Sequence, residues 1–543
     1  MVEKSYPDMW DHIEKLREND LLVEVDRPIN KDTELHPLVR WQYRGGLDED
    51  DRKAFLFNNV HDSKGREFDT PVIVGGLAGN PEIYGLGINA DPSVIHKKWD
   101  DAIENPVEPV EIDSSDAPIH EVVYEGEELE EEGQGLDGIP VPISTPGFDN
   151  APYTTMSAMV TNDPETGVRN IGIYRAQMKS PTRTGIFSYP GHGMFDHWHE
   201  MKERGEPLPV AICVSAPPAI GYTAAQTLPA DVDELSVSGG LVGEPIREVE
   251  AKTVPLQVPA DADIIIEGYA RTDVFEPEGP FGESHGYLAM KEYGLVFDVT
   301  AITMREEPVY TSIMSQVTPS ESCTLKKVAM EPLYLNFLRN TCSISSVVDI
   351  ELHEPLTNLR EVMIVQMEKG ADKSEVWRAL TSTISFRPAH GKFVVAVNED
   401  IDPKNLDSVV WAMSYRSNPA EDVQIVEKRS KGHYPGISEH GQSNDSALLW
   451  DATLDEKLPP VSLPTKEYME NAREIWEDMG LPELSPESPW YGYTLDVGVW
   501  NDELEEEAQL AVESEYYKTG EKDLDRRVST DDVAANDPYE WDE

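Results

Sequence analysis

The twelve residues from Glu276 to Tyr287 hold the densest chemistry in the chain: Glu276-Pro277-Glu278-Gly279-Pro280-Phe281-Gly282-Glu283-Ser284-His285-Gly286-Tyr287. Two prolines and three glycines impose an irregular backbone, and three carboxylates and a histidine hang from it. A rigid, irregular loop after a strand is a common seat for catalytic side chains. Glu278 and Glu283, if partly buried together, cannot both ionise easily. One of them would then be able to donate a proton near neutral pH. The competing reading is an acidic surface turn in an already acidic chain.

A second cluster is Asn170-Ile171-Gly172-Ile173-Tyr174-Arg175-Ala176-Gln177. Arg175 offers the planar fork that suits a carboxylate, although a strand arginine can equally serve as the partner of a structural acid. In a strand Asn170 and Arg175 face opposite sides unless a bulge intervenes, and Gly172 is a candidate place for one. The third cluster is Tyr189-Pro190-Gly191-His192-Gly193, followed by His197 and His199. Flanking glycines give His192 room to reach a metal. A zinc site of His192, His197 and His199 is the alternative, although positions i and i+2 of a helix do not share a face.

These clusters need elements to hold them. Met9 to Leu21 is spaced as an amphipathic helix, with Trp10, Ile13 and Leu16 on one face. Pro71 to Val74 reads as a strand running into Gly75-Gly76 and Gly79, before a helix near Pro81. Beyond the acidic run Glu125 to Glu132, Thr154 to Asn162 and Val168 to Met178 read as a hairpin about the turn Asp163 to Gly167. Strands at Pro209 to Ser215, Ile264 to Ala270 and Leu295 to Met304 extend this into a barrel or sandwich. From Cys323 the pattern is helical to Leu338. It then alternates through Glu361–Met367, Ser374–Leu380, Phe393–Val397 and Leu406–Trp411. Glu467 to Met479 closes as an amphipathic helix, and a loose acidic tail follows Asp525. The expected fold class is mixed α+β and α/β. Its expected divisions are an N-terminal α/β segment (1–125), a central β-barrel (140–320), a C-terminal α/β domain (322–480) and an acidic helix and tail (481–543).

Composition limits the functional classes. Asp and Glu number 103 against 45 Lys and Arg, a formal net charge of −58 spread along all 543 residues. Such a charge repels itself in dilute buffer, whereas in molar salt the Debye length falls to about 3 Å. The excess therefore reads as adaptation to high salt. Nucleic acid is not expected as a partner, because no basic stripe is present. Cys213, Cys323 and Cys342 are widely spaced, which supports neither a disulfide framework nor a thiolate zinc cluster. No secretory leader and no membrane span are expected, so the expected location is the cytoplasm.

Taken together, the clusters resemble the UbiD-like decarboxylases that use prenylated flavin mononucleotide (prenylated FMN). The resemblance runs from about Gly75 to Gly480. It rests most on Pro277 to Glu283 with His285-Gly286-Tyr287. Asn170, Arg175 and Gln177, the Pro190-to-Gly193 loop, Trp411-Ala412 with Tyr415-Arg416, and Asp451-Ala452-Thr453 add to it. It implies a split β-barrel that binds the flavin, and a C-terminal part that builds homodimers or homohexamers. It also implies that Arg175 receives the substrate carboxylate and that the flavin adds to the substrate as an azomethine ylide. Carbon dioxide then leaves, and Glu278, flanked by Arg175 and Glu283, protonates the product. Asn170, Ile173, Arg175, Gln177 and His192 are the implied cofactor contacts. Asn170 and His192, with a third acidic ligand, would hold Mn2+ or Mg2+ against the flavin phosphate, with K+ beside it. The third ligand should precede a Val-Pro-Ala segment, here Val258-Pro259-Ala260. By ungapped spacing Arg247 falls at its place and Glu248 is one residue off, which in a strand is the opposite face. Either a bulge brings Glu248 in or the metal site differs; Glu248 is carried forward as the third ligand.

The bottom-up chemistry points the same way. Decarboxylation needs an electron sink that no side chain supplies well, while an arginine and two carboxylates can orient an acid and deliver a proton. The expected substrate is an aromatic or α,β-unsaturated acid, in either direction, with a separate flavin prenyltransferase as cofactor supplier. A carboxylate-pair glycoside hydrolase and a non-catalytic acidic metal-binding scaffold are the alternatives.

Overall fold

A computed structural model describes residues 4–226, 228, 232–387, 389–429, 445–454, 458–494 and 500–529. The chain is mixed α+β and forms two compact units. The first comprises residues 1–365, 377–395 and 424–449; the second comprises 366–376, 396–423 and 450–543.

The first unit opens with the helix Met9–Glu18, capped by Asp8 in a reciprocal box with Asp11, which buries Met9, His12, Ile13 and Leu16. It packs by a four-stranded sheet in the order Leu22–Val25, Ala54–Phe57, Val72–Val74, Tyr310–Ser312. The glycine turn expected after Val74 is held by the fully buried Glu321. Its carboxylate accepts the backbone N–H groups of Gly75, Leu77, Ala78 and Met314. Four donors satisfy a carboxylate that would otherwise be costly to bury.

The centre of this unit is a nine-stranded curled sheet. Its order is Arg169–Ile173, Ser157–Asn162, Leu208–Val214, Ile264–Glu278, Glu292–Met304, Arg183–Ile186, Ala176–Ser180, Tyr153–Thr154, with Val122–Glu125 pairing on Glu292–Met304. The hairpin anticipated as two unbroken strands is interrupted in both arms. The first arm breaks between Thr154 and Ser157, and the second breaks at Tyr174-Arg175. The pieces before and after each break lie toward opposite ends of the strand order, so the chain crosses the seam twice. The seam is stitched by side chains: Thr154 Oγ1 lies 2.9 Å from Ser157 Oγ, which donates to the Tyr174 carbonyl at 2.7 Å. No bulge occurs at Gly172, which stays in regular register with Met159. The strand ends at Ile173, so Arg175 is placed by the break at the seam and not by a bulge within the strand.

The strand read as Ile264 to Ala270 continues to Glu278, with register shifts at Glu267/Gly268 and Ala270/Phe275. Such irregularities bend a strand and re-aim its end, and this end carries Glu278. The helix Glu321–Asn336 and most residues of a five-stranded sheet follow. That sheet runs Val347–Leu352, Val362–Met367, Phe393–Asn398, Asp445–Asp451, Val423–Arg429.

The second unit contains the helix Leu406–Tyr415. Next to it Arg416 makes a two-pronged contact of 2.8 and 2.6 Å with Asp400, and Asp400 also accepts the Tyr493 hydroxyl. Lys373 reaches Asp451 and Thr453. Of the family-like residues, Arg416 and Asp451 are thus held in local ion pairs. The helix anticipated at Glu467 to Met479 spans Lys466–Asp478, and two further helices, Asp502–Val512 and Tyr517–Asp525, precede the tail. Residues 530–543 of the anticipated tail lie outside the described residues. Among the described residues no helix is long and apolar enough to cross a membrane.

Candidate active site

Arg175 sits on the barrel seam and gathers both predicted carboxylates. Its Nε and Nη2 each donate to one oxygen of Glu278 at 2.8 Å, and its Nη1 donates to Glu283 Oε1. Glu278 has no exposed side-chain surface, Arg175 keeps 8% and Glu283 30%. The guanidinium lies between aromatic faces, 4.1 Å from the Phe187 ring centroid and 4.9 Å from that of Phe281. Burial alone would lower the arginine's proton affinity, but the hydrogen bond to Glu278 and the charges of Glu283 and Glu278 outweigh it and hold the affinity above its usual value. Arg175 is thus locked in its charged form.

The loop between the two carboxylates is fixed by its surroundings. Gly279 has φ +93°, where an added Cβ would lie 2.9 Å from the Met290 carbonyl oxygen. Its N–H donates to the Tyr153 hydroxyl, and the N–H of Gly282 donates to Asp149. The Tyr153 ring packs 4.5 Å from Phe281. Gln177, anticipated as a cofactor contact, is buried, and its side-chain amide donates to Asn150 Oδ1 at 2.6 Å. It belongs to this supporting layer and not to the cavity wall.

A cavity of about 460 Å3 opens beside the seam; Asn170, Ile173, His192, Glu234 and Glu283 are among the residues that line it. Asn170 lies opposite Thr161 in a regular strand pair, and its Nδ2 is buried with no hydrogen-bond partner. Gly193 opens the helix Gly193–Arg204 against it, and a Cβ there would collide with the Asn170 side-chain oxygen. His192 is packed 3.8 Å from the Tyr189 ring and 5.3 Å from that of Tyr174. Glu234 heads the helix Glu234–Val242 and accepts the Ile171 N–H at 3.0 Å. Burial pushes its carboxyl up to about 7, partly opposed by that hydrogen bond.

Glu248 lies elsewhere. It pairs with Arg169 at 2.7 Å on a small separate sheet and is not part of the cavity wall. Arg247, which the spacing put at the ligand position, is buried against Asp261 and the Tyr6 hydroxyl. Glu234, in contrast, does line the cavity, as do Asp196 and Glu283. Glu234 opens a helix whose next five residues, Leu235 to Gly239, are all buried. An acid at a helix start is also what the helix dipole favours, and that hid it. The three-histidine zinc alternative fails on geometry. His197 is turned to Thr161 Oγ1 at 2.9 Å, whereas His199 is 61% exposed beside Glu203. Among the described residues no three His, Cys, Asp or Glu side chains converge as a metal site.

Asn170, His192 and Glu234 nonetheless give one amide, one imidazole and one carboxylate on one cavity wall. The Asn170 amide oxygen, the His192 imidazole and a buried Glu234 carboxylate of raised proton affinity are the donor types that a hard divalent cation takes.

Two adjoining stretches match profiles of one family. Residues 110–317 match the 3-octaprenyl-4-hydroxybenzoate carboxy-lyase Rift-related domain, and residues 323–452 match the C-terminal domain of the same carboxy-lyase. The chain belongs to the UbiD family. Curated relatives include an uncharacterized protein of Archaeoglobus fulgidus, 35% identical over 57% of this chain and 62% of that protein. Another, from Synechocystis, is 31% identical over 57% of this chain and 60% of its own length. The chain thus spans less than two thirds of these relatives.

Among solved structures, the UbiD-class enzyme HmfF from Pelotomaculum thermopropionicum in complex with FMN superposes with a TM-score of 0.75 at 26% identity, over 86% of this chain and all of that one. An evolved dimeric form of HmfF in complex with prFMN gives 0.71 at 26% identity, over 84% and 97%. The vanillic acid decarboxylase of Sedimentibacter hydroxybenzoicus shares the fold at 22% identity, with a TM-score of 0.73 over 88% and 100%.

Proposed function

We propose that this UbiD-family chain is a reversible decarboxylase of an aromatic or α,β-unsaturated acid that works with prenylated FMN. The observation that carries the reading is the buried Arg175–Glu278–Glu283 constellation on the barrel seam, with Glu283 on the cavity wall. When bound, the flavin would supply the electron sink. Asn170, His192 and Glu234 are the residues disposed to hold a divalent cation at it, with Ile173 against it.

Arg175 places three of its five N–H donors on the two glutamates, one from each nitrogen, and an incoming carboxylate competes for the nitrogen that serves one of them. Glu283 is the exposed partner and Glu278 the buried one. Glu283 therefore gives way and the substrate carboxylate takes its place. Glu278 stays beside the guanidinium, in position to hold a proton and deliver it to the carbon that loses carbon dioxide. The same reading includes a separate flavin prenyltransferase as supplier, K+ beside the divalent ion, a homodimer or homohexamer, and a cytoplasm of high salt to match the charge of −58.

The test is carbon dioxide release from a panel of unsaturated and aromatic acids. It uses protein co-expressed with a flavin prenyltransferase and assayed in molar potassium chloride. Release by the wild type and none by Glu278→Gln supports the reading. Equal release by both defeats it.

A further inference from the structure

Two cations on the same cavity wall are left over by this account. Lys326 lies in the helix Glu321–Asn336, and Arg360 precedes the strand Val362–Met367; both line the cavity with Glu283. Among the described residues neither side chain makes an ion pair or a hydrogen bond. In a chain with 103 acids for 45 cations, a pair of cations without an acid partner runs against composition. Two like charges facing one cavity repel each other, and each is costly to desolvate.

The structure nevertheless holds them there. The loop that delivers Arg360 has three consecutive-region residues, Leu356, Asn358 and Leu359, at φ +61°, +56° and +61°, a conformation that costs free energy in residues with a Cβ. It is tied to the segment before the Lys326 helix. Thr318 donates to the Glu354 carbonyl at 2.7 Å, Ser320 N–H to the Glu354 carboxylate at 3.0 Å, and Cys323 lies 3.3 Å from Asn358 Oδ1. Burial first, and then the charge of Arg360, pull the Lys326 ammonium below its usual value, against Cys323 and Glu283. Arg360 and Glu283 both act on the Tyr189 hydroxyl. The cations share the cavity wall with Glu283, on different elements from the Asn170, His192 and Glu234 donors.

We propose that Lys326 and Arg360 form a subsite for a second anionic group on the substrate, so that the acid turned over is a dianion. The assignment rests on the decarboxylase reading above. Arg175 would take the carboxylate that is lost, and the Lys326–Arg360 pair the one that is kept. An arginine fork with a point-charge lysine suits a carboxylate or a phosphate, and a partly desolvated site keeps its attraction in salt better than a surface one.

The test compares dissociation constants of cinnamate and of 3- and 4-carboxycinnamate for flavin-loaded protein in molar potassium chloride. Bound flavin is quantified for the wild type, Arg360→Gln and Lys326→Met. The expected result is that at least one dicarboxylate binds ~10-fold or more tightly than cinnamate, the scale of one charge-assisted hydrogen bond. Each substitution should erase that preference while leaving flavin content and cinnamate binding unchanged. Equal binding of all three acids by the wild type overturns the subsite. Loss of flavin from the variants also overturns it, by assigning the pair to the cofactor phosphate while the decarboxylase reading stands. A wild type that retains no flavin overturns both.

Discussion

Glu278→Gln should cost activity far more than it costs stability. Glu278 has no exposed surface, and its two oxygens accept two Arg175 donors at 2.8 Å each. The amide keeps one acceptor and turns an N–H toward the other guanidinium N–H, so one charge-assisted bond is lost and a donor is left facing a donor. The cost is about 1.5–3 kcal/mol. It stays below the ~3–5 kcal/mol of a stranded buried charge, because Glu283 still neutralises Arg175. Arg175→Met is the harsher variant, since it leaves the fully buried Glu278 with no cation. Thermal unfolding in molar potassium chloride should therefore rank the wild type above Glu278→Gln, and Glu278→Gln above Arg175→Met. Turnover should fall ~10²–10⁴-fold in Glu278→Gln if that carboxyl delivers the proton, equivalent to about 3–5 kcal/mol of barrier. The assay is product formation by folded, flavin-loaded protein. Turnover within ~10-fold of the wild type would refute the proton-delivery role, and Arg175→Met unfolding no earlier than Glu278→Gln would refute the ion-pair argument.

Metal content separates the two candidate acids. Glu234→Gln should lower manganese retention by ~10-fold or more, whereas Glu248→Gln should leave it unchanged, as read by elemental analysis after dialysis. Gly279→Ala, at φ +93° beside the Met290 carbonyl, should lower the unfolding midpoint by the equivalent of ~1–3 kcal/mol. An unchanged midpoint would mean that the loop relaxes freely. His12 is fully buried, its Nε2 lies 2.6 Å from the Gly76 carbonyl, and burial holds its ring down at about 4. The unfolded chain thus binds one more proton than the fold between pH ~6.5 and ~4. Stability contributed by this ring is complete above ~6.5 and falls by ~1.4 kcal/mol per pH unit as the pH drops through that window. His12→Gln should flatten the acid limb of urea unfolding there, and an unchanged limb would show that His12 does not titrate on unfolding.

What the sequence disclosed depended on how local each cause was. The Pro/Gly frame from Pro277 to Gly286 is a local constraint that marked Glu278 and Glu283, whereas Arg175 was legible by its residue type in the separate Asn170–Gln177 cluster. The break at Tyr174-Arg175 was not legible. The apolar alternation runs straight through it, and its causes are non-local: the Ser157 hydroxyl on the Tyr174 carbonyl, and the pairing of Ala176–Ser180 with Arg183–Ile186. Glu248 was misplaced because spacing counted back from Val258 ignores the helix Glu234–Val242, which carries the acid to the cavity instead. Gln177 was read as a cofactor contact, but residue type alone cannot separate a wall residue from the layer behind it. Lys326 and Arg360 carried no signal, because the lack of a partner is a property of the folded chain.

The most direct test of the account is the mass and absorbance spectrum of small molecules released from protein co-expressed with a flavin prenyltransferase and purified in molar potassium chloride. The account predicts prenylated FMN in the released fraction. Folded protein that releases no flavin of any kind would contradict it.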